Sequence, residues 1–329
     1  MEPGAFQPPA VRGHRAPLRH PRAPQALRHG GLMPRIDAHV HVFARASAEF
    51  PRETSDWLPP DREEPVEKLL KEMEAHQVDR AVLVQIGGTS LEHHAYLLHC
   101  LRTYPRRFLG IGLIPPDLPA PADHMDRLTD GTGVIGFRLS TLGGPRDPLD
   151  RIDIRAFRTY PIWKRAAEKD HVLWLYPGAG EVHLVPFLLE AFPQVRVVFN
   201  HLFVCPGKGK FSIDPKGRPR VDTPIPPMTR YTTMRLNQYE NVTGHLSGQY
   251  AFSKGPWPYR DLTTSHSHLV RAFGANRLMW ATDFPWIAED PGYGPLTRVL
   301  DELLPDLTEH ERADIMGGTA QRFLRFPQP

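Results

Sequence analysis

Cysteine is nearly absent: only Cys100 and Cys205 occur in 329 residues, at no metal-like spacing. That excludes a disulfide framework and a cysteine-based metal site, and it suits a reducing, cytoplasmic setting. No uninterrupted run of about 18 apolar residues occurs, so a membrane-spanning helix is not expected and the chain reads as soluble. No Gly-x-Gly-x-x-Gly follows any strand-like segment, which removes the usual dinucleotide fingerprint. Excess charge is scarce as well. The formal balance is +3, but Arg12, Arg15, Arg19, Arg22 and Arg28 face a single acid, Glu2, within residues 1–33, and the body beyond is close to neutral. A basic excess confined to one end gives the body no nucleic-acid footprint.

Those first 33 residues also lack periodicity. Rich in Pro, Arg, His and Gly, they cannot bury an apolar face and are expected to form a disordered, dispensable extension, with Met33 as an alternative start. They have neither the amphipathic pattern of a transit peptide nor the apolar region of a secretion signal. Residues 34–329 are then one domain, long for an ordinary core but of the size that a closed α/β barrel needs.

Strand-like segments recur at 36–43, 78–86, 107–115, 133–140, 171–176, 195–201, 242–247 and 277–282, separated by stretches with helical spacing. Eight such units predict a single (β/α)8 TIM-type barrel, with a doubly wound open sheet as the rival. Two connections stand out. Residues 44–64 carry Pro51, Pro59 and Pro60 with Phe50 and Trp57, and read as a loop whose aromatic residues could cover a barrel mouth. Residues 203–227 are rich in Pro, Gly, Lys and Arg without a period, and a loop that long reads as a mobile lid. Lys208 and Lys210 in it could attract an anion, a solvated basic loop being the plainer alternative.

The chemistry is concentrated in the first strand. In Arg-Ile-Asp-Ala-His-Val-His-Val-Phe at 35–43, Ile36, Ala38, Val40 and Val42 alternate with Asp37, His39 and His41. That alternation puts both imidazoles on one face, and paired neutral imidazoles suit zinc, manganese or iron. The other histidines of the 17 must be sorted. His266 and His268 repeat the spacing inside a helical segment, where residues two apart point about 200° away from each other and cannot share an ion. His93, His94 and His99 are also helical and read as surface or half-buried positions. His39, His41, His201 and His245 instead fall toward strand C-terminal ends, as does Asp283. Alone, Asp283 could be a helix cap and His201 a satisfied core histidine. Together they converge only if the barrel closes.

Several of these segments carry a resemblance: Asp-Ala-His-Val-His-Val-Phe at 37–43, Gly-Phe-Arg-Leu at 136–139, Asn-His-Leu at 200–202, Asn-Val-x-x-x-Leu-Ser-Gly at 241–248 and Arg-Leu-Met-Trp-x-x-Asp-Phe-Pro-Trp at 277–286. From about residue 34 to 326 the chain resembles the amidohydrolase superfamily, in its amidohydrolase-related branch of lactonases, pyrone-dicarboxylate hydrolases and non-oxidative decarboxylases. The resemblance implies that His39, His41, His201 and Asp283 hold a metal, and that Asp283 acts as a base toward water. It implies that Arg138 holds a substrate carboxylate, a task for a planar bidentate donor. Tyr176 is a weaker candidate for substrate binding, a core aromatic being the alternative. The fifth strand departs from many members, offering no bridging Lys or Glu, so at most one divalent ion, zinc or manganese, is implied, and a metal-free centre is the alternative. His245 stands where lactonase relatives commonly carry Lys. The function expected is metal-dependent opening of a small carboxylated lactone or cyclic ester. A decarboxylase using His245 for proton transfer is the alternative, with a non-catalytic ligand-binding barrel behind it. The partner expected is a small anionic molecule, with no nucleic acid or membrane; nothing in the composition opposes a homo-oligomer.

Overall fold

The computed structural model describes residues 33–145, 147, 149–206 and 210–327. Residues 1–32 of the 33-residue basic extension and Lys208 lie outside them, as does the side chain of Lys210. The eight strand-like segments become eight parallel strands of one sheet. They begin with β1 (Ile36–Val40), β2 (Arg80–Val84), β3 (Phe108–Leu113), β4 (Val134–Leu139), β5 (Val172–Leu175) and β6 (Arg196–Phe199). Between them run α1 (Val66–Ala75), α2 (Ala95–Thr103), α3 (Pro121–Thr129), α4 (Tyr160–Lys169) and α5 (Val185–Ala191). Helix α1 shows why the pattern was readable. Val66, Leu69 and Met73 share one buried stripe, and the helix starts directly after Pro65, with Glu67 in its first turn.

After β6 the rhythm is interrupted by β7 (Lys210–Ile213) and β8 (Pro219–Asp222), an antiparallel hairpin. The segment 203–227 is therefore not the unstructured loop that its composition suggests: Phe211, Ile213 and Val221 supply enough strand character to pair across a turn containing Gly217. Helix α6 (Arg230–Arg235), β9 (Val242–Leu246), α7 (Gln249–Phe252), α8 (Thr263–Phe273) and β10 (Leu278–Trp280) complete the barrel, followed by α9 (Tyr293–Leu296), α10 (Val299–Leu303), α11 (Glu309–Ala313) and α12 (Thr319–Phe323). No helix among the described residues is long and apolar enough to cross a membrane.

The core has two shells. Inside the barrel, Val82, Val84, Ile111, Trp174, Val198 and Met279 form one buried cluster, plugged at the bottom by Ala320, Leu324 and Phe326. A larger cluster fills the space between strands and helices. Strand β1 crosses between the two. Ile36 and Ala38 belong to the inner cluster, whereas Val40 and Val42 belong to the outer one. Simple alternation over 36–42 thus fails, because the β1–β2 register shifts between Asp37 and Val40. A bulge re-aims the residues beyond it, and here those include His39 and His41.

The same stretch closes the barrel. Across the gap between β1 and β10, Asp283 N donates to His39 O at 3.0 Å and His41 N to Phe284 O at 2.7 Å. Below them the Asp37 carboxylate takes the place of a ladder: it accepts from Thr282 N at 2.9 Å, Thr282 Oγ1 at 2.6 Å and Tyr293 OH at 3.0 Å. Closure and site assembly are one event, since the residues that join the ends also carry three of the four candidate ligands.

Candidate active site

A cavity of about 430 Å³ opens at the C-terminal ends of the strands, with His41, Arg138, Tyr176, His201 and Asp283 in its wall. His39 lies fully buried beneath. The local backbone is unusual. His201, Leu202 and Phe203 follow β6 with φ of 41°, 58° and 56°, and Asp283 follows β10 with φ of 61°. Left-handed backbone in non-glycine residues costs about 1–2 kcal/mol each, and such strain persists where packing holds it, often at functional sites. The packing can be named. Phe203 fills the space a side chain at Gly244 would occupy, an added Cβ there standing 2.0 Å from the ring, and Gly248 lets His201 in, since a Cβ would stand 3.0 Å from His201 Cβ.

Hydrogen bonding sets the imidazoles. His41 Nδ1 donates to Val84 O at 2.8 Å, which leaves Nε2 as a lone pair facing His39 Nε2 at 3.3 Å. His201 Nδ1 pairs with Ser247 Oγ at 2.9 Å, so with Nδ1 as donor its Nε2 is free. Asp283 Oδ2 accepts from Tyr250 OH at 2.8 Å. Its Oδ1 is buried without a donor, 3.7 Å from His39 Nε2 and 3.5 Å from His41 Nε2. His39, His201 and Asp283 each offer an atom within 4.8 Å of the other two, with His41 at their edge. A buried carboxylate oxygen that can only accept, faced by imidazole nitrogens at 3.5 and 3.7 Å and by no hydrogen-bond donor, is what a divalent cation satisfies. The residues fit such an ion.

Electrostatics agree. Burial drives the pKa of His39 well down, with His201 and His41 adding to it, and burial brings His201 to about 4. Neutral imidazole is the ligand form. Burial pushes Asp283 up, but His201, His41 and the Tyr250 hydroxyl outweigh it and hold the carboxyl below its usual range. It is a carboxylate.

Arg138, on β4, reaches the cavity with its guanidinium 5.4 Å from the centre of the Tyr176 ring, and has no hydrogen-bond or ion-pair partner among the described residues. Burial lowers its pKa while Asp283 raises it. Tyr176 packs edge-on against His201 at 5.3 Å and lines the cavity, so it is a wall residue rather than a core aromatic. His245 is different. It is fully buried, 5.3 Å from the His39 ring and 5.5 Å from Trp174, with both ring nitrogens unpartnered and no share of the cavity wall. It stands behind the ligand cluster instead of facing a substrate.

The remaining expectations divide. Trp57 from the loop 44–64 lines the cavity, but Phe50 packs away from it on Tyr96 and His99, with centroids at 5.1 and 5.5 Å. His94 is not half-exposed but fully buried, accepting from Leu113 N at 2.9 Å. Tyr250, Ser247 and Arg52 were not singled out by sequence. Arg52 pins the loop by donating to the carbonyls of Ala44, Leu58, Pro59 and Arg62. Its only signal is an arginine amid prolines that leave carbonyls unpaired.

A family model for amidohydrolases matches residues 36–326. No curated protein matches the chain. Among solved structures, a presumed 2-pyrone-4,6-dicarboxylic acid hydrolase from Pseudomonas putida is similar with a TM-score of 0.68 and 22% identity, over 90% of this chain and 99% of that one. An amidohydrolase from Burkholderia multivorans with bound zinc gives 0.67 and 21%, over 89% and 100%. The 2,6-dihydroxybenzoate decarboxylase from Rhizobium gives 0.56 and 15%, over 89% and 99%. At these identities the likeness shows the shared barrel.

Proposed function

This chain belongs to the amidohydrolase family, and from that premise we propose that it is a metal-dependent hydrolase that opens a small carboxylated lactone or cyclic ester. The observation that carries the reading is the donorless Asp283 Oδ1 among His39, His41 and His201, in the same cavity as the unpaired Arg138. His39, His41, His201 and Asp283 would hold one divalent ion, zinc or manganese, which supplies polarisation of a carbonyl and a lowered pKa for water. Asp283, ionised and restrained at Oδ2 by Tyr250, is the base that takes a proton from the attacking water. Arg138 orients the substrate through its carboxylate with two parallel hydrogen bonds. Tyr176, stacked under that guanidinium, restricts where it can point.

A non-oxidative decarboxylase is the second reading, supported by His245 with its two unpartnered nitrogens and by the family's dihydroxybenzoate decarboxylase relative. Its burial behind His39 weighs against direct proton transfer to a substrate carbon. Screening lactones and hydroxybenzoates in oxygen-18 water separates the two. Label in a ring-opened acid, lost on chelation, is expected; carbon dioxide from an aromatic acid, abolished by His245→Ala, would replace hydrolysis with decarboxylation.

A further inference from the structure

The cavity wall carries two chemically distinct sets of side chains. One comprises Asp283, His41, His201 and Arg138. Arg138 is the only Lys or Arg in the wall among the described residues, so it is the one side chain there that can pair with a carboxylate through a guanidinium. The other set carries no charge. Trp57, Trp286, Phe252, Phe211, Pro219 and Val221 form it, and they come from separate parts of the chain.

Trp57 and Trp286 lie with centroids 5.4 Å apart, and the Arg62 guanidinium sits 5.2 Å from the Trp286 ring centre. Arg62 also donates to Trp57 O at 2.8 Å. That wall is braced before any ligand arrives. The β7–β8 hairpin contributes Phe211, Pro219 and Val221, and its turn meets the same brace, Gly217 O accepting from Arg62 Nη1 at 3.2 Å. Phe211 is 58% exposed although it lines the cavity, and an aromatic ring left in water at a cavity mouth gains most when a ligand covers it. A volume of about 430 Å³ lies within the roughly 300–1,000 Å³ range of small-molecule sites.

We propose that the substrate carries a carboxylate, held by Arg138, joined to an aromatic or bulky aliphatic body that packs against Trp57, Trp286 and the hairpin. This rests on the hydrolase reading for the reacting group and goes beyond it in naming the rest of the molecule. A compact polar molecule leaves the apolar part of the wall uncovered. A neutral apolar molecule leaves the Arg138 guanidinium without a hydrogen-bond acceptor.

The inference is tested by binding, so that it succeeds or fails apart from turnover. The full chain as purified is titrated calorimetrically with 3-phenylpropanoate, propanoate and 3-phenylpropanamide. The phenyl group should improve affinity over propanoate by about tenfold or more, the gain expected for burying an aromatic ring. The amide should bind more weakly than 3-phenylpropanoate. Phe211→Ala should narrow the ratio between 3-phenylpropanoate and propanoate several-fold, and Phe211→Leu should restore part of it; the site is exposed enough for both variants to fold. Equal affinity for the two carboxylates, an amide that binds as tightly as 3-phenylpropanoate, or a ratio untouched by Phe211→Ala would overturn the proposal. Ring opening of lactones alongside any of those results would sink this inference and leave the hydrolase reading standing. The expected affinities without label incorporation from oxygen-18 water would do the reverse.

Discussion

The chain contains two His-x-His pairs, and they have opposite fates. In β1, His39 and His41 bring their Nε2 atoms to 3.3 Å. In α8, His266 is buried with Nδ1 donating to Leu262 O at 2.9 Å and Nε2 at 3.2 Å from Gln249 Nε2, while His268 turns to Arg230. The difference lies in what the protein does with each second nitrogen. The helical His266 spends both on neighbours and is finished as a structural residue. The strand pair spends only His41 Nδ1, on Val84 O, and leaves both Nε2 atoms turned toward Asp283. Spacing alone is therefore not chemistry; a ligand is a histidine the fold has left half-satisfied.

The most forceful way to break this contrast is to delete both pairs separately. His39→Ala with His41→Ala should abolish stoichiometric metal by elemental analysis and lower kcat/KM by about a thousandfold or more, since the ion's polarising role goes with it. His266→Ala with His268→Ala should keep the metal and cost roughly 2–4 kcal/mol of stability through a cavity and stranded partners. Full metal retention in the first variant would remove the strand pair from the centre.

A second test uses pH. Burial lowers the pKa of His266 to about 4, opposed by its bond to Leu262 O. The unfolded chain takes up the proton near 6.5, so between there and about 4 the unfolded state binds more protons than the folded one. The stability that neutral His266 contributes is fully present above pH 6.5 and is lost as pH falls toward 4, by on the order of 3 kcal/mol. Urea titrations at pH 7 and pH 4.5 should show a steeper loss for the parent than for His266→Gln. A constant gap between the two proteins would mean that His266 is not held neutral.

Much of this was legible in sequence, for identifiable reasons. The eight strands announce themselves because parallel strands buried on both faces need continuous apolar runs, and the helical fate of His266 follows from a 3.6-residue period. The ligand candidates were readable because each sits at the end of a strand. What could not be read was geometry set by long-range contacts. The β1 bulge that moves Val40 outward depends on pairing with β2, and the left-handed run at His201 depends on Phe203 filling the space beside Gly244. The β7–β8 hairpin was hidden because two four-residue strands among prolines and lysines give too little periodicity to distinguish from a loop. Tyr250 escaped because its link to Asp283 joins residues 33 positions apart.

The smallest expected effect sharpens the comparison most, because it acts on a nitrogen that faces away from the candidate metal centre. Ser247 Oγ is the partner of His201 Nδ1. If that bond fixes the tautomer that leaves Nε2 free, Ser247→Ala removes the fixing without touching a ligand. The variant should still bind metal, but about tenfold more weakly in a chelator competition, the low end of what outer partners of metal-bound histidines contribute. Gln249 gives the matched control, since it stands to His266 as Ser247 stands to His201. Gln249→Ala should lower thermal stability and leave metal affinity unchanged. Were both variants to bind metal like the parent, the second nitrogen of His201 would carry no more functional weight than that of His266, and the ligand role would have to rest on His39, His41 and Asp283 alone.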